Sequence, residues 1–420
     1  MTPELSNRAI TNAVDNELKP RHRWYPIKES FSAELISDSI KEIQKDQKNS
    51  MYAIEPFSGS GTAPVQYALS GIPSVAFEVN PFLAFVSRTK TFQATPKTLD
   101  AASEIVLNGL NRPQKLPLED YSTFCEGNGN EKWLFNRVVL RAFAGGWEAT
   151  SKLALTERDL CRLALIRATM DNCNATPDGK CLRYKRLDSF ECFTAEAVID
   201  KFRDYLDMIR EDVERAPIHS ARPRIICCDV RQLVKKTRKR KFDLCVTSPP
   251  YLNSFDYSDV YRPEMFLAGL VSNNDELMKI RLRTIRSHVQ ATWRKPTQTS
   301  FGIIYKKVFE EMEQRQTKLW SRRLLMMVQA YFEDIQILLE GLKSQAKRNA
   351  VVKIAVGTSA YAGVVIPVDL IIGEIAEHLG WLLKDIQVVR RLRSSPQLWR
   401  HEDVEKVPEL RESIILLRRA

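Results

Sequence analysis

The chain has 420 residues, 44% of them hydrophobic and 27% charged, enough for a sizeable core in one large domain with an insertion or in two domains. No apolar run approaches a membrane span and the first residues lack the apolar centre of a signal peptide, so a cytoplasmic protein is expected. A formal net charge of +11 favours a polyanionic partner.

In chain order, "SMYAIEPF" (50–57) reads as a first strand and "SGSGT" (58–62) as a glycine turn. "APVQYALSG" reads as a helix closed by Gly71, and "IPSVAFEVN" as a second strand carrying Glu78 at its end. "PFLAFVSRTKTF" is the next helix. This strand–turn–helix–strand order opens a doubly wound α/β sheet. From about Phe92 to Ala221 the alternation stops and the apolar spacing turns helical, as in "EKWLFNRVVLRAF" and "DLCRLALIRATM". "RPRIICCDV" and "KFDLCVT" then read as strands, the second running into Thr247-Ser248-Pro249-Pro250-Tyr251. A region with little periodicity extends to about Lys318. A long amphipathic helix (319–343), the buried strand "AVVKIAVGT", the helix "IPVDLIIGEIAEHLG" and a closing pair of strands, 381–392 and 411–420, finish the chain.

Gly59 and Gly61 permit a tight turn after a strand and bring backbone N–H groups to a helix N-terminus. A carboxylate at Glu78 suits the two hydroxyls of a ribose, so an adenosine-containing cofactor is expected. The third glycine of a dinucleotide fingerprint would fall at Pro64, and no phosphate-loop G-K-S/T is present. Asp229, after the next strand, is placed to accept from an adenine amino group, and it is also a natural helix N-cap. In Ser248-Pro249-Pro250-Tyr251 the prolines end the strand and remove two donors, which leaves carbonyls to accept from something else. With a hydroxyl before them and an aromatic ring after, they form either a plain turn or a rigid holder for a flat, hydrogen-bonding ligand.

Of the 8 cysteines, five (Cys125, Cys161, Cys173, Cys181 and Cys192) fall in the helical stretch without C-x-x-C spacing, so reduced thiols and no metal site are expected. Between Leu277 and Phe309 there is no acid, while Arg281, Arg283, Arg286, Arg294 and Lys295 are basic, with His288 and Trp293 interleaved. These are the candidate nucleic-acid contacts, against the alternative of a solvated helix face. The run 235–241 is a second basic patch.

Phe57-Ser-Gly59-Ser-Gly61 and Ser248-Pro249-Pro250-Tyr251 together resemble the S-adenosylmethionine-dependent DNA amino-methyltransferases, whose F-x-G-x-G and (D/N/S)-P-P-Y motifs have this form. Glu55 stands where the family usually has Asp, and the glycine loop comes first. The resemblance implies a class I methyltransferase fold: a Rossmann-like, mostly parallel sheet with a closing antiparallel hairpin. Its catalytic domain would comprise 20–92 and 222–420, with a mostly helical insertion at 93–221 and a basic recognition-like region at 252–318. It implies S-adenosylmethionine held by Phe57, Gly59, Gly61, Glu78 and Asp229, with Lys28 in the segment Arg23–Ile36 beside the cofactor's methionine end. It implies a base taken out of double-stranded DNA and held by Ser248, Pro249, Pro250 and Tyr251, without a metal. The Ser form of the second motif is typical of the cytosine-N4 branch. Such enzymes protect host DNA from a cognate restriction nuclease or mark it for a defence system. An adenine-N6 or RNA amino-methyltransferase, and a binding subunit without catalysis, are the alternatives.

Overall fold

The computed structural model describes residues 13–27, 30–46, 50–121, 123–127, 129, 132–178, 181–185, 193–237, 240–392 and 409–420. Its strands are β1 (Ala53–Glu55), β2 (Ser74–Glu78), β3 (Ala175–Asp178), β4 (Cys181–Tyr184), β5 (Arg224–Cys227), β6 (Phe242–Thr247), β7 (Ala346–Gly357), β8 (Ser359–Tyr361), β9 (Val364–Ile366), β10 (Trp381–Leu392) and β11 (Leu410–Arg419). Seven of them form one sheet in the order β5-β2-β1-β6-β7-β11-β10. β5, β2, β1, β6 and β7 run parallel, and β11 lies antiparallel between β7 and β10. This is the mostly parallel sheet with a closing antiparallel pair that the class I fold requires.

Side-chain alternation explains why β6 is buried along its whole length. Leu244 and Val246 face one core with Ala53, Val351 and Ala355, under Leu35, Ile36 and Tyr67 of helices Ala33–Asp46 and Thr62–Leu69. Cys245 faces the opposite core with Ile54, Val352 and Ile354, under Leu324, Met327 and Leu338 of helix Arg323–Gln345. Because five strands are parallel, Glu55, Glu78, Asp229 and Thr247 all reach the same carboxyl edge of the sheet, where open α/β sheets bind ligands.

Residues 93–221 form helices Pro96–Leu110, Arg137–Ala149, Leu155–Asp171 and Ala195–Arg215 with the hairpin β3–β4. Helices Pro96–Leu110 and Arg137–Ala149 touch backbone to backbone: a Cβ on Gly145 would stand 2.3 Å from Gly109 O. Their core continues into Phe82, Leu83 and Val86 of helix Pro81–Thr89 and into Phe255, Tyr261 and Met265, which follow the Ser-Pro-Pro-Tyr turn. Asp212 of the last inserted helix also accepts from Arg21 N at 2.8 Å, Arg23 Nε at 3.0 Å and Trp24 Nε1 at 2.9 Å. This helical segment thereby pins the N-terminal stretch that leads to Ile27 at the sheet edge. The region 252–318 is part loop and part helix, the longer helices being Asn274–Arg281 and Ile303–Gln314. No helix among the described residues is long and apolar enough to cross a membrane.

Candidate active site

A cleft of about 290 Å³ opens at the carboxyl edge. Phe57, Gly59 and Glu78 line it from the ends of β1 and β2, and Ser248, Pro249, Pro250 and Tyr251 from the end of β6. The two motifs, far apart in sequence, therefore share one cavity.

The glycine loop is organised by Glu78. Gly59 N donates to Glu78 Oε2 at 2.8 Å and Asn80 N to Oε1 at 2.9 Å. Burial raises the Glu78 carboxyl above its ordinary value, against these two amide donors. Gly61 does not line the cleft. Its φ of +91° is left-handed, and a Cβ there would stand 2.8 Å from Ser87 Cα, so it sets the close start of helix Thr62–Leu69 against helix Pro81–Thr89. Lys28 lies outside the described residues. Ile27 and Ser30, on either side of it, line the cleft.

Asp229 is not among the residues that line the cleft. Its carboxylate accepts from Arg231 N at 2.9 Å and is clasped by the Arg231 guanidinium, Nη2 to Oδ2 at 2.7 Å. The N-cap role is realised, both carboxylate oxygens are engaged, and Cys228 and Val230 line the cleft in its place.

At the Ser-Pro-Pro-Tyr turn, neither Ser248 Oγ nor the carbonyls of Pro249 and Pro250 has a hydrogen-bond partner among the described residues. Tyr251 donates its hydroxyl to Glu412 Oε1 at 2.5 Å, and Arg390 Nε meets Glu412 Oε2 at 2.6 Å. Arg390 and Glu412 also line the cleft, as do Asn253, Ser258, Thr284 and Ser287. The sequence reading missed all six. For Glu412 the only local signal was a charge beside the apolar run "SIILL"; its partners lie on other strands.

The basic segment separates into residues bound within the protein and residues that face outward. Arg286 is buried: its guanidinium holds Asp334 Oδ1 at 2.7 Å and Glu333 Oε2 at 2.6 Å, which removes it from the candidates for binding phosphate. Trp293 is buried too, with Nε1 donating to His288 O at 2.7 Å, so it offers no face to a base. Arg281 pairs with Asp256 at 2.6 Å. Arg283 is exposed and lines the cleft, while Arg294 and Lys295 are exposed beyond it. Asp334 also receives Arg231 at 3.2 Å, so a buried chain of charges, Asp229–Arg231–Asp334–Arg286–Glu333, fixes the 283–288 segment against the cleft. Among the described residues no group of acids, histidines and cysteines is arranged to hold a metal.

No protein-family model matches the chain. It is 23% identical to the Type II methyltransferase M.BsoBI of Geobacillus stearothermophilus, over 98% of this chain and 88% of that protein. It is 23% identical to the Type II methyltransferase M.AvaI of a Nostoc species, over 95% of this chain and 87% of that protein. Among solved structures, TrmN from Thermus thermophilus matches 93% of this chain and 49% of its own at TM-score 0.30 and 8% identity. The rRNA methyltransferase AviRa from Streptomyces viridochromogenes matches 99% and 96% at TM-score 0.31 and 10% identity. Both structural likenesses are too distant to bear on the fold, which rests on the strand order. With its parallel sheet, its glycine loop and Ser-Pro-Pro-Tyr turn converging on one cleft, and these near full-length relatives, the chain is a class I methyltransferase-fold protein that resembles the S-adenosylmethionine-dependent amino-methyltransferases.

Proposed function

We propose that the protein methylates the exocyclic amino group of a base in double-stranded DNA at a specific site, with cytosine N4 as the target. The observation that carries this reading is the convergence of Gly59, Glu78 and Ser248–Tyr251 on one cleft. The donor set fits S-adenosylmethionine: Glu78 keeps lone pairs for ribose hydroxyls, Gly59 leaves the approach open, and Phe57 adds an aromatic wall. When bound, that cofactor would supply an electrophilic sulfonium methyl; transfer would form the N–C bond, break the S–C bond to leave the thioether S-adenosylhomocysteine, and release the amine's proton to water.

The chain's own part is positional. An amine conjugated to a ring is a poor nucleophile. Ser248 Oγ and a proline carbonyl, both open as acceptors, would take its two N–H groups and turn the lone pair out of conjugation. Tyr251 would stack on the flipped base, and fixed in-line geometry supplies most of the remaining acceleration. Arg283, Arg294 and Lys295 would meet phosphates. The serine in the second motif favours cytosine over adenine, the two Type II methyltransferases support a restriction–modification setting, and a cognate nuclease belongs to the same proposal.

The test is expression in a host without DNA methylation, followed by single-molecule sequencing of genomic DNA. N4-methylcytosine in a recurrent motif is the expected result. N6-methyladenine would keep the enzyme and change its base. An unmodified genome would sink the DNA reading and leave an RNA substrate or a binding-only protein.

A further inference from the structure

We propose that Glu412 and Arg390 are positioning residues that hold the Tyr251 ring in place against Gly357, so that an already ordered ring meets the target base. The proposal rests on the reading of Tyr251 as the base-stacking residue. Glu412 pairs in register with Gly357 on one side and with Arg390 on the other, so the three form one row across β7, β11 and β10 at the carboxyl edge. Tyr251 lies across that row. A Cβ on Gly357 would stand 3.0 Å from Tyr251 Cδ2 and 3.1 Å from Cε2, so the ring rests where any other side chain would displace it. At its far end the hydroxyl donates to Glu412 Oε1 at 2.5 Å.

The carboxylate is itself held. Arg390 donates to both its oxygens, Nε to Oε2 at 2.6 Å and Nη2 to Oε1 at 3.2 Å. The Glu412 side chain is 2% exposed and that of Arg390 40% exposed, and both residues line the cleft. Arg390 also cancels a negative charge that would otherwise repel phosphate beside the base pocket. A tyrosine alone would sample several rotamers, and a base stacked on it would have to order it on arrival. The row removes that cost beforehand.

The test is methyl-transfer kinetics on the full chain with duplex DNA, beside calorimetry of S-adenosylmethionine binding. Tyr251→Phe keeps the ring and loses only the hydroxyl. We expect it, and Glu412→Gln, each to lower kcat by about 10- to 100-fold, the range for a small misplacement of a reacting group. The double variant should lose no more than the worse single one, with cofactor affinity unchanged, and Arg390→Lys should retain more activity than Arg390→Met. Wild-type kcat in Tyr251→Phe, or losses that multiply, would overturn the proposal. If the wild type methylates no DNA, the function reading fails by itself. The row is then read from the [13Cζ]tyrosine resonance that Tyr251→Phe removes. Glu412→Gln should shift it, and an unmoved resonance overturns the proposed hold on the ring.

Discussion

Thr247 donates its hydroxyl to Glu55 Oε1 at 2.6 Å. Glu55 ends β1 just before the glycine loop and Thr247 ends β6 just before Ser248, so this bond ties the glycine loop to the Ser-Pro-Pro-Tyr turn across two adjacent parallel strands. Phe57 N donates to the same oxygen at 2.8 Å, while Oε2 is buried without a partner. Burial pushes the carboxyl up to about 8, against the Thr247 and Phe57 donors. The proton it keeps belongs on Oε2, because Oε1 already accepts twice.

A pH dependence follows from that proton. Folded Glu55 holds it to about pH 8, whereas the ordinary carboxyl value is 4.5. Its contribution to stability is therefore complete below about 4.5 and is lost as pH rises towards 8, by at most about 1.4 kcal/mol per pH unit. Glu55→Gln keeps the shape and the acceptor but cannot ionise. Urea unfolding across this range should show a flatter stability curve for Glu55→Gln than for wild type, and parallel curves would mean that Glu55 is charged in the fold.

Glu78 should govern cofactor affinity rather than turnover alone. Its two oxygens anchor Gly59 N and Asn80 N, so removing it both loosens the glycine loop and deletes the ribose acceptor. Loss of charge-assisted hydrogen bonds at about 1.5–3 kcal/mol each predicts a rise of roughly 10- to 100-fold or more in the S-adenosylmethionine Kd for Glu78→Ala. Calorimetry measures it directly, and an unchanged Kd would remove Glu78 from the cofactor site.

Ser248→Ala should separate the two halves of the cleft. The hydroxyl has no hydrogen-bond partner among the described residues, so its loss should leave folding and cofactor binding near wild type. Methyl transfer should fall by about 100-fold if the hydroxyl is the acceptor that orients the amine. A variant that transfers normally would return the motif to a plain turn.

The basic segment should divide by burial. Neutralising Arg283, Arg294 and Lys295 together should weaken DNA binding and reduce the log–log salt slope by about 0.9 for each phosphate that is no longer neutralised. Arg286→Met should act on folding, because it leaves Asp334 and Glu333 buried beside a missing partner, a change that costs about 3–5 kcal/mol. Filter binding at several salt concentrations and thermal melts distinguish the two groups. A salt slope altered by Arg286→Met in a fully folded protein would contradict the buried placement.

The seven strands of the main sheet, their succession along the chain and the two cleft motifs were legible in the sequence, because each is a local pattern, whereas the short hairpins β3–β4 and β8–β9 were not. β6 carries the apolar run Leu244-Cys245-Val246, β2 ends on a carboxylate, and two prolines stop the chain where the sheet edge must be. The helical character of 93–221 was legible too, as a change of period from strand to helix. What each charged or aromatic side chain is free to do was decided only by the tertiary structure. Arg286 and Arg294 look alike in sequence, yet one is buried against Asp334 and the other is exposed. Asp229 is filled by Arg231, Trp293 turns into the core, and Tyr251 is set by Gly357, Glu412 and Arg390 from strands formed at the far end of the chain. The physical reason is range. Periodicity and turn chemistry act over a few residues, whereas burial and ion pairing depend on which distant segments the sheet brings side by side.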